Sequence, residues 1–419
     1  MPLPLDPNYG IALIGAFFNE WWWLILPPFL YFLFREIWHY HLEKKTVLKW
    51  KWVTLSLQVP REIIKTPKAM EQIFAGLHAS TVGINWIEKH ITGKVQEWMC
   101  FELVGIGNKG VFFYVTLPQQ LRNLVESQIY AQYPQVEISE AEDYTHFLPP
   151  RLPDKNYNLW GTEYYLKKES CYPLRMYSYF EEIKDEKRVD PLANLFEWFS
   201  RLKDGEQIWI QMHIRPADDE WKKEGDRIIA KLAGKPEKPK AKSSSQGLME
   251  FLRNLLLGFF QEPIWGEEKK GDALPSRAQF LTPGEKDIVQ CIEEKIAKIG
   301  FHSGIRVIYT AKKELFSKAN VPPINAFFRQ FNTQNLNALK SNSKVATSID
   351  FWFKQGRELY RKARIYRKYR EREFPTVYSV LNIEELASIY HFPIKEVEAP
   401  NLGRIGSYKS APPPNLPIA

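Results

Sequence analysis

The feature that most constrains this chain is an apolar run from Trp21 to Phe34, opened by Trp21, Trp22 and Trp23. A contiguous patch of that kind has no place on an uncovered protein surface. A helical crossing of the hydrocarbon layer needs about 20 apolar residues, more than the run holds by itself. Two flanks lengthen it: Ile11–Phe18 upstream, and Ile37, Trp38 and Tyr40 downstream. Pro27 and Pro28 kink a helix in water at a cost that lipid-embedded helices tolerate better. The tryptophan cluster at one end and the Trp38/Tyr40 pair at the other suit the two headgroup levels. The expectation is a single transmembrane helix with membrane lipid as its partner, anchored by Trp21, Trp22, Trp23, Phe29, Phe32, Phe34 and Trp38. Arg35, Lys44, Lys45, Lys49 and Lys51 follow the run, which places the long C-terminal part in the cytoplasm. The start lacks the basic n-region and small-x-small site of a cleavable signal.

Composition sets broader bounds. With 44% hydrophobic and 14% aromatic residues in 419, the chain can fill sizeable cores and is excluded from the disordered class. A formal net charge of +8 suits an anionic partner, either phospholipid headgroups or nucleic acid. Cys100, Cys171 and Cys291 are odd in number and far apart, which argues for reduced thiols and against a zinc site.

Periodicity divides the rest. Val53–Val59 and Trp98–Val104 read as strands, as do Val111–Leu117 and Val136–Ile138; Met70, Ile73, Phe74 and Leu77, then Leu121, Leu124, Val125 and Ile129, recur at helical spacing. The order β-α-β-β-α-β is that of a ferredoxin-like domain. The second half repeats it loosely, with Tyr164, Leu166 and Leu174–Phe180 as strands, a helix at Leu192–Phe199 and a strand at Ile208–Ile214. A helix carrying Trp221, Ile228, Ile229 and Leu232 comes next. Another opens at Thr282-Pro283-Gly284-Glu285 and leads into a strand at Ile305–Tyr309. The expected fold class is α+β: a transmembrane helix, tandem ferredoxin-like domains, and a C-terminal basic helix with an extended tail. The expected divisions are a membrane anchor (1–45), a first domain (46–150), a second (151–346) with a mobile insertion at 233–280, and the basic helix and proline-rich tail (347–419). Within the insertion, Leu248–Trp265 reads as an amphipathic helix that returns to the bilayer surface, docks on a partner or packs on its own domain.

Familiar chemical motifs fail their context tests. Gly105-x-Gly107-x-x-Gly110 spells a dinucleotide fingerprint, but a strand, Val111–Val115, stands where a helix must point its amides at pyrophosphate. The same strand places Val111, Phe113 and Val115 on one face, one stacking ring where an RNA-recognition sheet uses two or three. There is no G-x-x-x-x-G-K-[ST] loop, no H-E-x-x-H and no G-x-S-x-G. His39-x-His41 reads as interfacial, and Glu140, Glu142 and Asp143 carry no spacing that singles them out for catalysis. No cofactor, metal or catalytic residue is expected.

The sharpest charge feature is Lys354–Arg372, where Arg357, Arg361, Arg364 and Lys368 recur at three- and four-residue steps with Tyr360, Tyr366 and Tyr369 between them. Such a face suits phosphates of DNA or lipid; a solvated helix balanced by Glu358, Glu371 and Glu373 is the plainer reading.

Two segments carry a family likeness. Leu381–Pro393 (LNIEELASIYHFP) with Ala411–Pro417 (APPPNLP) resembles the stretch ahead of the motor domain in DNA-translocating ATPases of type IV secretion and conjugation, the TraG/TraD-like and HerA-like proteins. Val125–Pro134 (VESQIYAQYP) resembles the membrane-anchored N-terminal region of one branch of them. The chain carries none of that family's nucleotide-binding motifs, so no catalytic residue transfers. The resemblance implies a non-enzymatic inner-membrane scaffold that positions a separate ATPase subunit, itself assembling as a homo-oligomer. The alternative is a membrane-associated nucleic-acid-binding protein that uses the basic helix.

Overall fold

The computed structural model describes residues 26–59, 65–180, 190–233, 281–349 and 353–393. They belong to two units, Met1–Trp52 with Thr81–Glu97, and Val53–Ser80 with Trp98–Ala419.

The first unit is built on helix α1 (Leu26–Val47), which has no buried residue. Its C-terminal half meets a single π-helical turn, Glu88–Thr92. The Thr46 hydroxyl donates to the Thr92 carbonyl at 3.2 Å, and the His39 and His90 rings lie 5.4 Å apart. Gly93 closes the turn at φ 68, where a Cβ would fall 2.6 Å from the Leu42 backbone; glycine is needed there on both counts.

In α1 the expectation of a membrane crossing meets its correction. Among the described residues no helix is long and apolar enough to cross a membrane. Phe29, Phe32, Phe34 and Trp38 lie on α1, but its uninterrupted apolar stretch ends at Phe34, and Arg35, Glu36, Glu43, Lys44 and Lys45 punctuate the remainder of the helix. Leu26–Phe34 spans about 13 Å as a helix, against roughly 30 Å of hydrocarbon. The transmembrane helix and the single-pass inner-membrane location inferred from it are therefore not supported. Trp21, Trp22 and Trp23 lie outside the described residues, as do the insertion, Leu248–Trp265 and the proline-rich tail.

The second unit corrects the expectation of tandem ferredoxin-like domains. Its strands are β1 (Trp52–Gln58, whose first residue belongs to the other unit), β2 (Met99–Ile106), β3 (Gly110–Pro118), β4 (Glu137–Glu140), β5 (Tyr157–Leu166), β6 (Glu206–Pro216), β7 (Gly300–Lys312), β8 (Leu339–Ser341) and β9 (Ser379–Asn382). They form one nine-stranded sheet in the order β4-β1-β3-β2-β6-β7-β5-β8, with β9 also paired to β7. The join is the antiparallel β2·β6 ladder, in register from Met99↔Ile214 to Ile106↔Gln207. Two separate small sheets would leave β2 and β6 as edges of unpaired amides, and this pairing removes those two edges.

Both faces of the sheet are buried, because each central strand alternates between two cores. Phe101, Leu103, Ile208, Ile210, Met212, Ile305 and Val307 point to the larger core. That face is covered by α2 (Lys68–Leu77), α3 (Arg122–Gln132), α4 (Ala193–Ser200) and α7 (Val321–Arg329), together with α9 (Ile383–Ile389), which packs on α2. Helices α5 (Glu220–Leu232) and α6 (Pro283–Ile296) pack on each other. The opposite face carries Val104, Leu159, Trp209 and Ile308 beneath α8 (Lys354–Arg370).

The G-x-G-x-x-G string is a β-hairpin, and packing accounts for its glycines. A Cβ on Gly105 would lie 2.7 Å from the Phe199 ring, and one on Gly107 would lie 1.8 Å from the Lys203 carbonyl oxygen. Gly110 sits at φ 103, a conformation that side chains disfavour.

Candidate functional site

Helix α8 divides sharply into an inner and an outer face. Lys362, Ile365, Tyr366 and Tyr369, at steps of three, one and three, are buried against the sheet. Tyr366 and Tyr369 flank the fully buried Trp209, with ring centroids 6.2 and 5.3 Å away. The Tyr366 hydroxyl donates to the Pro149 carbonyl at 2.8 Å, and the Tyr369 and Tyr144 hydroxyls are 2.7 Å apart. Burial pushes the Tyr366 phenol up to about 12, so it stays a neutral donor. Where the helix crosses β5, the Ile365 side chain lies so near Gly161 that a Cβ there would meet it at 3.1 Å.

Under the end of α8 a polar seam crosses the sheet. Glu102, Gln211, Arg306 and Glu163 face one another directly across β2, β6, β7 and β5, and all four are at most 3% exposed. The Arg306 guanidinium donates to Glu163 at 2.9 and 2.7 Å, to Gln211 at 3.2 Å, and to the Lys368 and Glu373 carbonyls at 3.0 and 3.1 Å. Arg372 joins Glu102 at 3.1 Å and forks onto Asp143. The seam thus fastens the helix end to four strands. Charges at such depth persist only when paired and fully hydrogen-bonded.

Next to the seam, His213 is completely buried. Burial, reinforced by Arg306 and Arg372, holds its imidazole well below the ordinary 6.5. His302 is lowered in the same direction by burial and Arg215. A histidine whose folded pKa is depressed takes up its proton more readily in the unfolded chain. Its contribution to stability is full above about pH 6.5 and is lost as pH falls below it. The melting temperature is expected to drop between pH 6.5 and 5, and His213→Gln with His302→Gln to flatten that slope. An unchanged slope in the double variant would assign the acid sensitivity elsewhere.

The outer face of α8 rearranges the phosphate-contact set expected from spacing. Arg357 and Arg364 are exposed, as expected of contacts. Arg361 instead donates to the Ser343 and Ala346 carbonyls at 2.9 and 2.8 Å, and Lys368 is buried against Glu373 at 2.6 Å. Glu358 is likewise engaged with the inner Lys362 at 2.7 Å, whereas Glu371 lies 4.0 Å from Arg367. The carboxylates expected to balance the helix are largely used on its inner side. The exposed line of the helix is Arg357, Tyr360, Arg364 and Arg367, at steps of three, four and three, with Phe353 exposed just ahead of it at φ 59. Tyr360 is one of the interleaved tyrosines expected from the sequence; Arg367 lies off the ladder of Arg357, Arg361, Arg364 and Lys368, and its three-residue step from Arg364 is the signal that finds it.

The first unit offers a second surface. Leu26, Phe29, Leu30, Tyr31, Phe32 and Leu33 are all exposed on successive sides of α1. Trp86, Ile87 and Ile91 add exposed apolar groups beside the π-helical turn, with the Trp86 ring stacked on His90 at 4.8 Å. Most of the exposed large apolar side chains among the described residues belong to this unit.

The cavities offer less chemistry. One of about 530 Å³ is an open groove where α6 faces residues 333–336, lined by Tyr179, Asp287, Cys291 and Glu294 among others. The Tyr179 hydroxyl and Cys291 sulfur are 3.7 Å apart. Burial first, then the thiol, pushes Tyr179 up to about 12, which keeps the phenol neutral. Among the described residues no cluster of three or more His, Cys, Asp or Glu side chains is arranged to hold a metal.

With this geometry in place, the comparisons identify the family. Residues 41–404 match the model of the family described as domain of unknown function DUF8128, and the chain belongs to that family. No curated protein matches it. Neither result links the chain to type IV secretion or conjugation.

Proposed function

We propose that this member of the DUF8128 family is a non-catalytic assembly module that holds a separate protein through the apolar surface of its first unit. The observation that carries the reading is α1, a 22-residue helix with no residue buried and with apolar side chains exposed all round its first two turns. A soluble helix normally turns one stripe inward, and one that is apolar on every side requires a surrounding partner. Helix packing into an apolar groove or bundle supplies such an environment, and each large apolar side chain covered contributes about 1.5–3 kcal/mol. The broad sheet of the second unit, buried on both faces, suits a rigid scaffold. The resemblance of Leu381–Pro393 makes a translocating ATPase the candidate partner.

The test is co-expression with each translocating ATPase that the source genome encodes, followed by affinity purification. Retention of the ATPase by the wild type and its loss in Phe29→Glu/Phe32→Glu/Leu33→Glu are expected. Melting of the purified protein should stay the same, since α1 contributes nothing to a core. Equal retention by the charged variant, or no retention by either, would overturn the reading. Flotation of the wild type with lipid vesicles and without the ATPase would assign the surface to lipid instead.

A further inference from the structure

A different observation, in the second unit, carries an inference beyond partner docking: the exposed line of α8 sets a flat ring among guanidinium groups. Arg357, Tyr360, Arg364 and Arg367 lie at a mean spacing of about 3.3 residues, close enough to the helical 3.6 to form one stripe about 15 Å long. Tyr360 is 65% exposed. A large aromatic group is therefore left in water on a helix whose inner tyrosines and isoleucine are closely packed.

We propose that this stripe binds a short stretch of single-stranded nucleic acid, with phosphates on Arg357, Arg364 and Arg367 and a base stacked on Tyr360. The cations supply attraction to any polyanion. The ring distinguishes among polyanions, because a ring on a rigid helix gains contact only with a flat group that offers its face. Base faces are accessible in a single strand and covered by their neighbours in a duplex. Tyr360 lies one turn from both Arg357 and Arg364, so a base on the ring brings its flanking phosphates toward the two guanidiniums. The inner face of the helix is fixed to the sheet by Lys362, which donates to Asn158 at 2.9 Å, and by the Arg361 bonds to Ser343 and Ala346. The stripe is thus held in place before a ligand arrives, which lowers the ordering cost of binding. An acidic peptide would engage the arginines with no comparable use for the ring, and an anionic membrane, whose headgroup level does accommodate tyrosine, is told apart by the vesicle competition below.

The experiment uses the full chain with fluorescein-labelled 12-mers of oligothymidine and oligouridine, and a 12-base-pair duplex, read by anisotropy. Both single strands are expected to bind more tightly than the duplex. With about −0.7 per phosphate in the log–log salt dependence, three contacts give a slope near −2, so raising salt fourfold weakens binding roughly 20-fold. Tyr360→Ala should weaken single-strand binding about tenfold while leaving duplex binding unchanged, and Tyr360→Phe should restore it. Arg364→Ala should weaken all three probes and reduce the slope. Equal affinity for strand and duplex, equal affinity of Tyr360→Ala and wild type, no binding, or displacement of the strand by vesicles rich in anionic lipid would each overturn the proposal. The outcome does not depend on the surface of the first unit, so it stands or falls separately from the docking reading.

Discussion

Arg306→Ala is expected to destabilise the second unit by about 3–5 kcal/mol, the range for removing one partner of a buried ion pair. Arg306 is fully buried, and its removal leaves the Glu163 carboxylate 3% exposed with its guanidinium partner gone. The Glu373 carbonyl loses the Arg306 donor in the same step, and the Lys368 carbonyl is left with the Glu373 amide alone. Against a typical total of about 5–15 kcal/mol, such a loss is a large fraction of the whole. Arg306→Lys keeps the charge but not the planar fork, so it should fall between wild type and Ala. The double variant Arg306→Met/Glu163→Met removes both charges and should recover much of the loss, since a well-packed apolar pair can replace a buried ion pair at little cost. Urea unfolding of the four proteins reads these values. A loss below about 1 kcal/mol for Arg306→Ala would show that water reaches the seam. Hydrogen exchange adds a positional check. Because Arg306 bonds to carbonyls at and beyond the end of α8, amides near residues 365–373 should lose protection before those of β6 and β7.

Local patterns are legible in this chain where a residue's neighbours along the chain decide its conformation. Alternation locates β2 and β3, helical stripes locate α2, α3 and α4, and Thr282 forms with Glu285 the reciprocal cap that opens α6. What periodicity does not carry is which strands pair. The β2·β6 ladder joins residues more than a hundred positions apart, and without it the strands divide into two small sheets. Leu174–Phe180, apolar enough for a strand, contains instead a 3-10 turn at Tyr177–Tyr179. Helix α7 begins with Pro322 and Pro323, which read as a break, although proline is tolerated in a first turn where amides have no helical partner. The seam residues are the least legible of all. Glu102, Gln211, Arg306 and Glu163 each look like the solvent side of a half-buried strand, and only the register that sets them in one row shows that they satisfy one another. On α8 the spacing of Arg357 and Arg364 agrees with their exposure, whereas Arg361 and Lys368 lie on the same basic ladder and turn inward to carbonyls and a carboxylate that no helical wheel contains.

The segment Leu381–Pro393, which carries the resemblance described above, is buried at every residue and forms an inner wall of this fold. Its fastening leads to a second large effect. Lys295 on α6 and Glu385 on α9 are both 0% exposed at their side chains, with the ammonium 2.9 Å from each carboxylate oxygen. Glu385 also accepts from the Leu174 and Asn382 amides at 2.7 and 2.9 Å, while Lys295 donates to the Tyr172 carbonyl at 3.2 Å. Burial lowers the Lys295 pKa, which the adjoining carboxylate only partly offsets. Lys295→Ala should therefore cost about 3–5 kcal/mol, because the carboxylate retains two amides but loses its counter-charge. Glu385→Ala should cost somewhat more, since it also leaves the buried Leu174 and Asn382 amides without their acceptor, although the Asn382 side chain still caps the amide of residue 385. Lys295→Met/Glu385→Gln tests the coupling. Methionine fills the space of the lysine stem, while the single oxygen of glutamine keeps one of the two amides and its NH2 group faces the other; with both charges gone, the pair should still be less damaging than the sum of its two single changes by at least about 1 kcal/mol. Strict additivity in urea unfolding would mean that the two charges are solvated separately and that α9 is held by its apolar contacts alone. Recovery in the double variant would instead make this ion pair the link by which α6 fixes α9 against the sheet.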